Sequence, residues 1–151
     1  MPIQESIDNA NVPFIQGGNA FSRDDQVLLT DAGRTTVLAQ FTLLAKVAAS
    51  QKWVPFTNEA ATNGTAIPQG IYLGDDITAA DIVAGDIADL QVLVGGDGVP
   101  VDVNQLVIEN SKTLDTVITV GTTDLRTVRD HLANRGIFIE ETVDISSFEN
   151  A

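Results

Sequence analysis

The sequence predicts a mainly β (α+β) protein: a small β-sandwich or barrel-like body with one short C-terminal helix, preceded by an extended N-terminal arm. Three observations carry this expectation. From about residue 26 the chain runs in short β-type stretches divided by turn residues. A single segment near the C-terminus has helical spacing with a stop signal behind it. The first 25 residues show no sustained period of either kind. The organisation that follows is an arm over 1–25, a β-rich body over 26–146 and a polar tail over 147–151.

The arm contains Gly17-Gly18, two prolines and several Asn and Gln. Its large apolar residues are Ile3, Ile7, Val12, Phe14, Ile15 and Phe21. Such a stretch is either a frayed terminus or a segment that orders on a partner, with spaced apolar residues as anchors. On the second reading residues 1–22 are dispensable for folding and needed for binding.

In the body, Val27-Leu28-Leu29 runs into the turn signal Thr30-Asp31-Ala32-Gly33. Over Thr35 to Val47, alternate positions hold Val37, Ala39, Phe41, Leu43 and Ala45, the period of one sheet face. Lys52-Trp53-Val54-Pro55-Phe56 reads as a short strand, with Pro55 favouring an edge. Asn63-Gly64 is a tight-turn dipeptide. Ile67 to Leu73 and Ala88 to Val94 read as strands flanking an acidic loop or single helical turn over Gly74 to Asp81. Gly95-Gly96-Asp97-Gly98 reads as a hairpin turn, and Val101 to Glu109, Thr116 to Val120 and Ile137 to Ile145 as further strands. The helix is placed by Thr123 as its cap, Asp124 in its first turn and Gly136 at its end. Leu125, Val128 and Leu132 form its apolar stripe.

A chain of 151 residues fits one domain with a real core, and 44% apolar residues are ordinary for a globular protein. No apolar run reaches the length of a membrane helix, and Met1-Pro2-Ile3-Gln4-Glu5 lacks the basic start of a secretory signal. The absence of cysteine excludes disulfides, thiolate metal sites and cysteine nucleophiles. A net charge of −13, from 21 acidic and 8 basic residues, disfavours binding to a nucleic-acid backbone and keeps copies apart in solution.

Constellations for chemistry are thin. The single histidine, His131, has no partners spaced for a triad or a two-histidine metal site. Gly95 to Gly98 fits neither a phosphate loop nor a dinucleotide fingerprint. Asp75, Asp76, Asp81, Asp86 and Asp89 lack the spacing of a calcium loop and read as a solvated acidic face. No catalytic residue, metal ligand or cofactor is assigned. Arg126, Arg129 and Arg135 crowd into the single helix, either as a solvated face or as contacts to acidic groups across a subunit or partner interface. Trp53 reads as a core or interface residue rather than a ligand platform.

From Leu43 onward the sequence resembles the lambda-type head decoration family of tailed bacteriophages. The resemblance lies in the order of several weak motifs: Leu43-Leu44-Ala45-Lys46-Val47, then Lys52-Trp53-Val54-Pro55, then Asn63 to Ile71 with its Gly64, Pro68, Gly70 and Ile71. A variable stretch at Leu90 to Val101 and an ending over Leu125 to Ile139 follow, so the resemblance covers roughly residues 35–140. It implies a mostly β fold with a small helix, homotrimers at three-fold positions on the outer surface of the expanded capsid, and clamping of neighbouring major capsid protein subunits. It also implies an N-terminal arm that adds to a coat-protein sheet, synthesis in the host bacterial cytoplasm, and neither nucleic acid nor membrane as partner. The rival readings are another β-rich virion part, such as a head fibre or tail-tube subunit, and a carbohydrate-binding β-domain. The last is weakened because Trp53 and Tyr72 are the only Trp and Tyr.

Overall fold

A computed structural model describes residues 13–57, 63–118 and 126–140. The fold is mostly β, as the sequence predicts. Five strands close a small barrel: β1 (Asn19–Leu28), β2 (Leu43–Lys46), β3 (Trp53–Pro55), β4 (Pro68–Tyr72) and β5 (Ile87–Asp97), in the order β1-β3-β2-β4-β5. A short helix α1 (Ala79–Ala84) joins β4 to β5. Beyond the barrel come β6 (Val99–Asp102), β7 (Val117–Ile118), β8 (Arg126–Thr127), α2 (Val128–Asn134) and β9 (Ile137–Glu140). β6 pairs parallel with β9, and β7 antiparallel with β8.

The apolar residues sort into two cores because successive side chains on a strand point to opposite faces. Leu28, Leu44, Trp53, Tyr72, Leu90 and Val92 form the inner cluster, with a contribution from each barrel strand, and Ile82 of α1 and Leu38 join it. Their neighbours Leu43, Ala45, Ile71 and Leu93 face outward from β2, β4 and β5. That outer face is covered by Val99 and Val101 of β6, Val128 and Leu132 of α2, Ile137 of β9, and Phe14. β2, β4 and β5 are therefore apolar on both faces, which is why Leu44 interrupts the simple alternation at 43 and 45.

Glycine makes two close approaches possible. A β-carbon on Gly70 would crowd the Trp53 ring and Val92, so the indole fits inside the narrow barrel only past a bare backbone. Gly136 has φ +80°, and a β-carbon there would collide with the carbonyl of Gly96. The chain can thus turn from α2 into β9 while packed directly on β5, where Gly96 N–H donates to the Arg135 carbonyl at 2.9 Å.

Several expectations are corrected. The stretch Thr35 to Val47 is a strand only over Leu43–Lys46, because Phe41 adopts φ 67°, a left-handed conformation that breaks an extended run. Gly95-Gly96-Asp97 is not a hairpin turn: those residues stay in β5, paired with Phe21, Ala20 and Asn19, and only Gly98, at φ 70°, bends the chain. The acidic segment after Gly74 contains α1, with Thr78 as its cap. The C-terminal helix starts one turn later than expected. Thr127 is its N-cap, closed by a reciprocal capping box with Asp130, and Gly136 follows its end as expected. Thr123, Asp124 and Leu125 lie outside the described residues, as do 119–120 and 141–145 of the last two expected strands.

Pro55 is not at an edge in the simple sense, since β3 is flanked by β1 and β2. Its missing N–H is tolerated because β1 and β3 pair only at Leu28 and Trp53 and part company beyond. No described helix is long and apolar enough to cross a membrane.

Candidate functional site

The six expected arm anchors divide into three groups. Ile3, Ile7 and Val12 lie outside the described residues. Phe14 and Ile15 do not belong to an arm, because they are already part of the body. Gln16 N–H donates to the Pro100 carbonyl and Asp102 N–H to the Phe14 carbonyl, each at 2.9 Å, and Ile15 bridges to Val101. This segment is a third, antiparallel strand-like layer on β6. The Phe14 ring is buried and stacks on Phe41 with centroids 4.1 Å apart and planes 10° from parallel. That stack faces the left-handed backbone at Phe41, and both features escape a period count. Residues 19–25 are likewise in β1, so the body begins well before residue 26.

Phe21 remains as expected in one respect: it is 51% exposed. It sits opposite Gly95 in the β1–β5 ladder. A β-carbon on Gly95 would touch the Arg135 carbonyl, so Arg135 crosses directly over the position facing Phe21. Three residues beyond lies Phe138, 46% exposed. The alternation of β9 explains its placement: Ile137 pairs with Val99 and Ile139 with Val101 toward the core, which turns Phe138 outward beside Pro100. Phe21 and Phe138 are thus both exposed aromatic side chains, and the Arg135 backbone passes close to the β5 position opposite Phe21. Aromatic residues and arginine are the types enriched at protein contacts. The inward Ile137 and Ile139 were the signal for Phe138 in the sequence.

The other expected interface residues are dispersed. Arg126 lies in β8 and Arg129 on the exposed side of α2, so of the three arginines only Arg129 is within the helix. Arg135 is the C-cap of α2, donates to the Gln69 amide oxygen at 3.5 Å, and has its pKa lowered by burial. Trp53 is 2% exposed and lies inside the barrel, where its Nε1 donates to Gln26 Oε1 at 3.0 Å. It is a core residue of the single chain and forms no surface for a partner.

The acidic stretch is used piecemeal. Asp76 accepts from Gln40 N–H at 2.8 Å, the Asp75 carbonyl accepts from the Tyr72 hydroxyl at 2.5 Å, and Asp81 N–H is held by the Thr78 cap. Asp86 joins three parts of the barrel, accepting from Lys52 Nζ at 2.5 Å and from Thr30 N–H at 2.8 Å. Among the described residues no group of three His, Cys, Asp or Glu could hold a metal ion.

The Lys52 ammonium, then the Thr30 amide, hold the Asp86 carboxyl below its ordinary 3.8. A carboxylate with a depressed folded pKa adds stability above its unfolded value, and that contribution is lost as pH falls through the folded one. Asp86→Asn is therefore expected to lower the melting temperature at pH 6 and to leave it nearly unchanged at pH 2. Equal losses at both pH values would show that the carboxylate charge is not what matters.

Compared with known proteins, the chain matches no protein-family model, no curated protein and no solved structure.

Proposed function

We propose that this chain is a structural protein of a tailed-phage virion, which seats on the outer surface of the expanded capsid as a trimer and clamps neighbouring major capsid protein subunits. The observation that carries the reading is a pair of exposed aromatic side chains, Phe21 and Phe138, on a β-rich chain of net charge −13. The order of the motifs supports it. Leu43 to Val47, Trp53 to Pro55 and Gly64 to Ile71 coincide with β2, β3 and the approach to β4, and Val128 to Ile139 with α2 and β9. Residues of these motifs, among them Leu43, Leu44, Trp53, Ile71, Val128, Leu132 and Ile137, contribute to the inner and outer cores. The arm shortens to the residues before Pro13, so Ile3, Ile7 and Val12 are the anchors left to it.

A protein that binds the assembled shell and not its free subunits stabilises the shell by mass action, and many copies act together. Apolar contact and strand addition survive moderate salt better than charge pairing does. Expanded capsids heated with the protein are expected to release DNA at a higher temperature than capsids alone, at low and at high salt. Phe138→Asp, at an exposed position, is expected to weaken capsid binding by more than about tenfold while leaving the melt of the free protein unchanged. Identical release curves with and without the protein would overturn the proposal.

A further inference from the structure

Beyond the barrel core, β1 and β3 diverge and leave a cleft of about 340 Å³. Its origin is a single residue. Leu29 N–H donates to the Trp53 carbonyl at 2.9 Å, as in a parallel ladder. The next rung would run from residue 55 to the Leu29 carbonyl, but residue 55 is proline and has no N–H. Pairing stops there, so the Leu29 carbonyl has no ladder partner on β3, and Leu29 and Pro55 both line the gap.

The cleft has an apolar floor of Leu28, Leu38 and Ile82, all nearly inaccessible. One wall is the ion pair of Arg34 and Glu109, two parallel bonds of 2.6 Å. Arg34 has little left to offer a ligand. Its Nε donates to the Thr36 carbonyl at 2.8 Å and its Nη2 also to the Val37 carbonyl at 2.9 Å. Four of the five guanidinium hydrogens thus already point at acceptors of the chain itself. The other side-chain donors at the cleft are engaged as well. The Thr30 hydroxyl donates to the Ile82 carbonyl at 2.8 Å and the Asn110 amide to the Phe56 carbonyl at 3.1 Å.

What remains is acceptor capacity over an apolar floor: the Asp31 and Glu109 carboxylates, the Asn110 amide oxygen and the Leu29 carbonyl. With Arg34 counted, the charged side chains of the cleft sum to −1 on a chain of −13. An anion would find few spare donors and an unfavourable field. A ligand with an aliphatic stem and a cationic donor head satisfies both the floor and the rim.

We propose that this cleft binds an aliphatic primary ammonium group, the chemistry shared by a lysine side chain and a free alkylamine. The site uses none of Phe21, Arg135 and Phe138 and does not depend on the capsid reading.

The test is a methyl-resolved NMR titration of the full chain with pentylammonium, with pentanoate and with N-acetyl-lysine methylamide. Pentylammonium is expected to shift the methyl signals of Leu28, Leu38 and Ile82 saturably, while pentanoate leaves them in place. Matching shifts from the lysine derivative would assign the site to a protein-borne side chain, and shifts from pentylammonium alone to a free amine. Asp31→Asn keeps an acceptor for Gly33 N–H, which Asp31 Oδ1 now receives at 3.0 Å, and so preserves the turn. Loss of its charge is expected to weaken binding about threefold to fivefold. Pro55→Ala, which restores an N–H for the Leu29 carbonyl, is expected to weaken it further. Equal saturable shifts from pentanoate, or only linear shifts from pentylammonium, would overturn the proposal.

Discussion

Trp53→Ala is expected to destabilise the protein by about 3–5 kcal/mol, a large part of what holds a domain of this size together. The indole is the largest side chain in the barrel and packs among Leu44, Tyr72 and Val92, with Gly70 vacating space for it. Truncation leaves a void in a ring of only five strands, which has little room to collapse around it. It also strands Gln26 Oε1, the acceptor of the indole N–H, and removes the ring beneath Lys46, whose ammonium lies 5.0 Å from the ring centroid. Trp53→Phe retains most of the packing and loses only the polar contact, so a smaller loss is expected. Urea unfolding of the three proteins, followed by far-ultraviolet circular dichroism, measures the difference. As the only tryptophan of the chain, Trp53 also gives an independent check: its native emission is expected at short wavelength and to move red on unfolding. A red native spectrum with a neutral Trp53→Ala would place the ring in water and contradict the barrel interior.

The fold class was legible because most of it is written locally. Asn63-Gly64 marks the turn before β4, Gly136 ends α2, the runs expected at 52–56 and 67–73 contain β3 and β4, and the longer run expected at 35–47 ends in β2. What was not legible depends on contacts far apart in sequence. Phe41 is bulky and suits an extended strand, yet it is left-handed in the fold and stacked on Phe14, 27 residues earlier (41 − 14 = 27). Gly95 and Gly96 look like a turn, but their small size serves the crossing of the Arg135–Gly136 backbone over β5. The cap of α2 is Thr127 rather than Thr123, with Asp130 completing the reciprocal pair, and a sequence holding two Thr residues with nearby Asp offers both registers. For the candidate contact face, Phe21 and Arg135 could be singled out by type. Only the register of β1 against β5, with the Arg135 carbonyl close to Gly95, shows where they lie, and only the packing of Ile137 and Ile139 turns Phe138 outward.

The arm boundary yields the second large effect. Composition placed the break near residue 25, which makes a chain lacking residues 1–22 a folded body. The structure reverses this: that deletion removes Phe14 from the outer core and the first four residues of β1, Asn19 to Ser22, which pair with Asp97, Gly96, Gly95 and Leu93. Loss of a buried phenylalanine alone costs about 3–5 kcal/mol. Here the ladder on β5 and the Ile15 layer on β6 disappear with it. Barrel closure depends on β1 lying between β5 and β3, and β1 meets β3 only at Leu28. With the β5 side shortened, that single rung has little to hold it. The protein lacking residues 1–22 is therefore expected to lose its cooperative melt and to bind a hydrophobic dye at room temperature. The protein lacking residues 1–12 keeps Phe14, Ile15 and all of β1, and is expected to melt cooperatively, close to the full chain. Capsid binding then separates arm from body: on the proposed function, the shorter deletion folds but binds expanded capsids more weakly, because Ile3, Ile7 and Val12 are gone. If the longer deletion melts like the full chain, β1 is not needed to close the barrel. If the shorter one binds capsids at full strength, the contact lies on the body alone, and exposed residues such as Phe21 and Phe138 carry it without an arm.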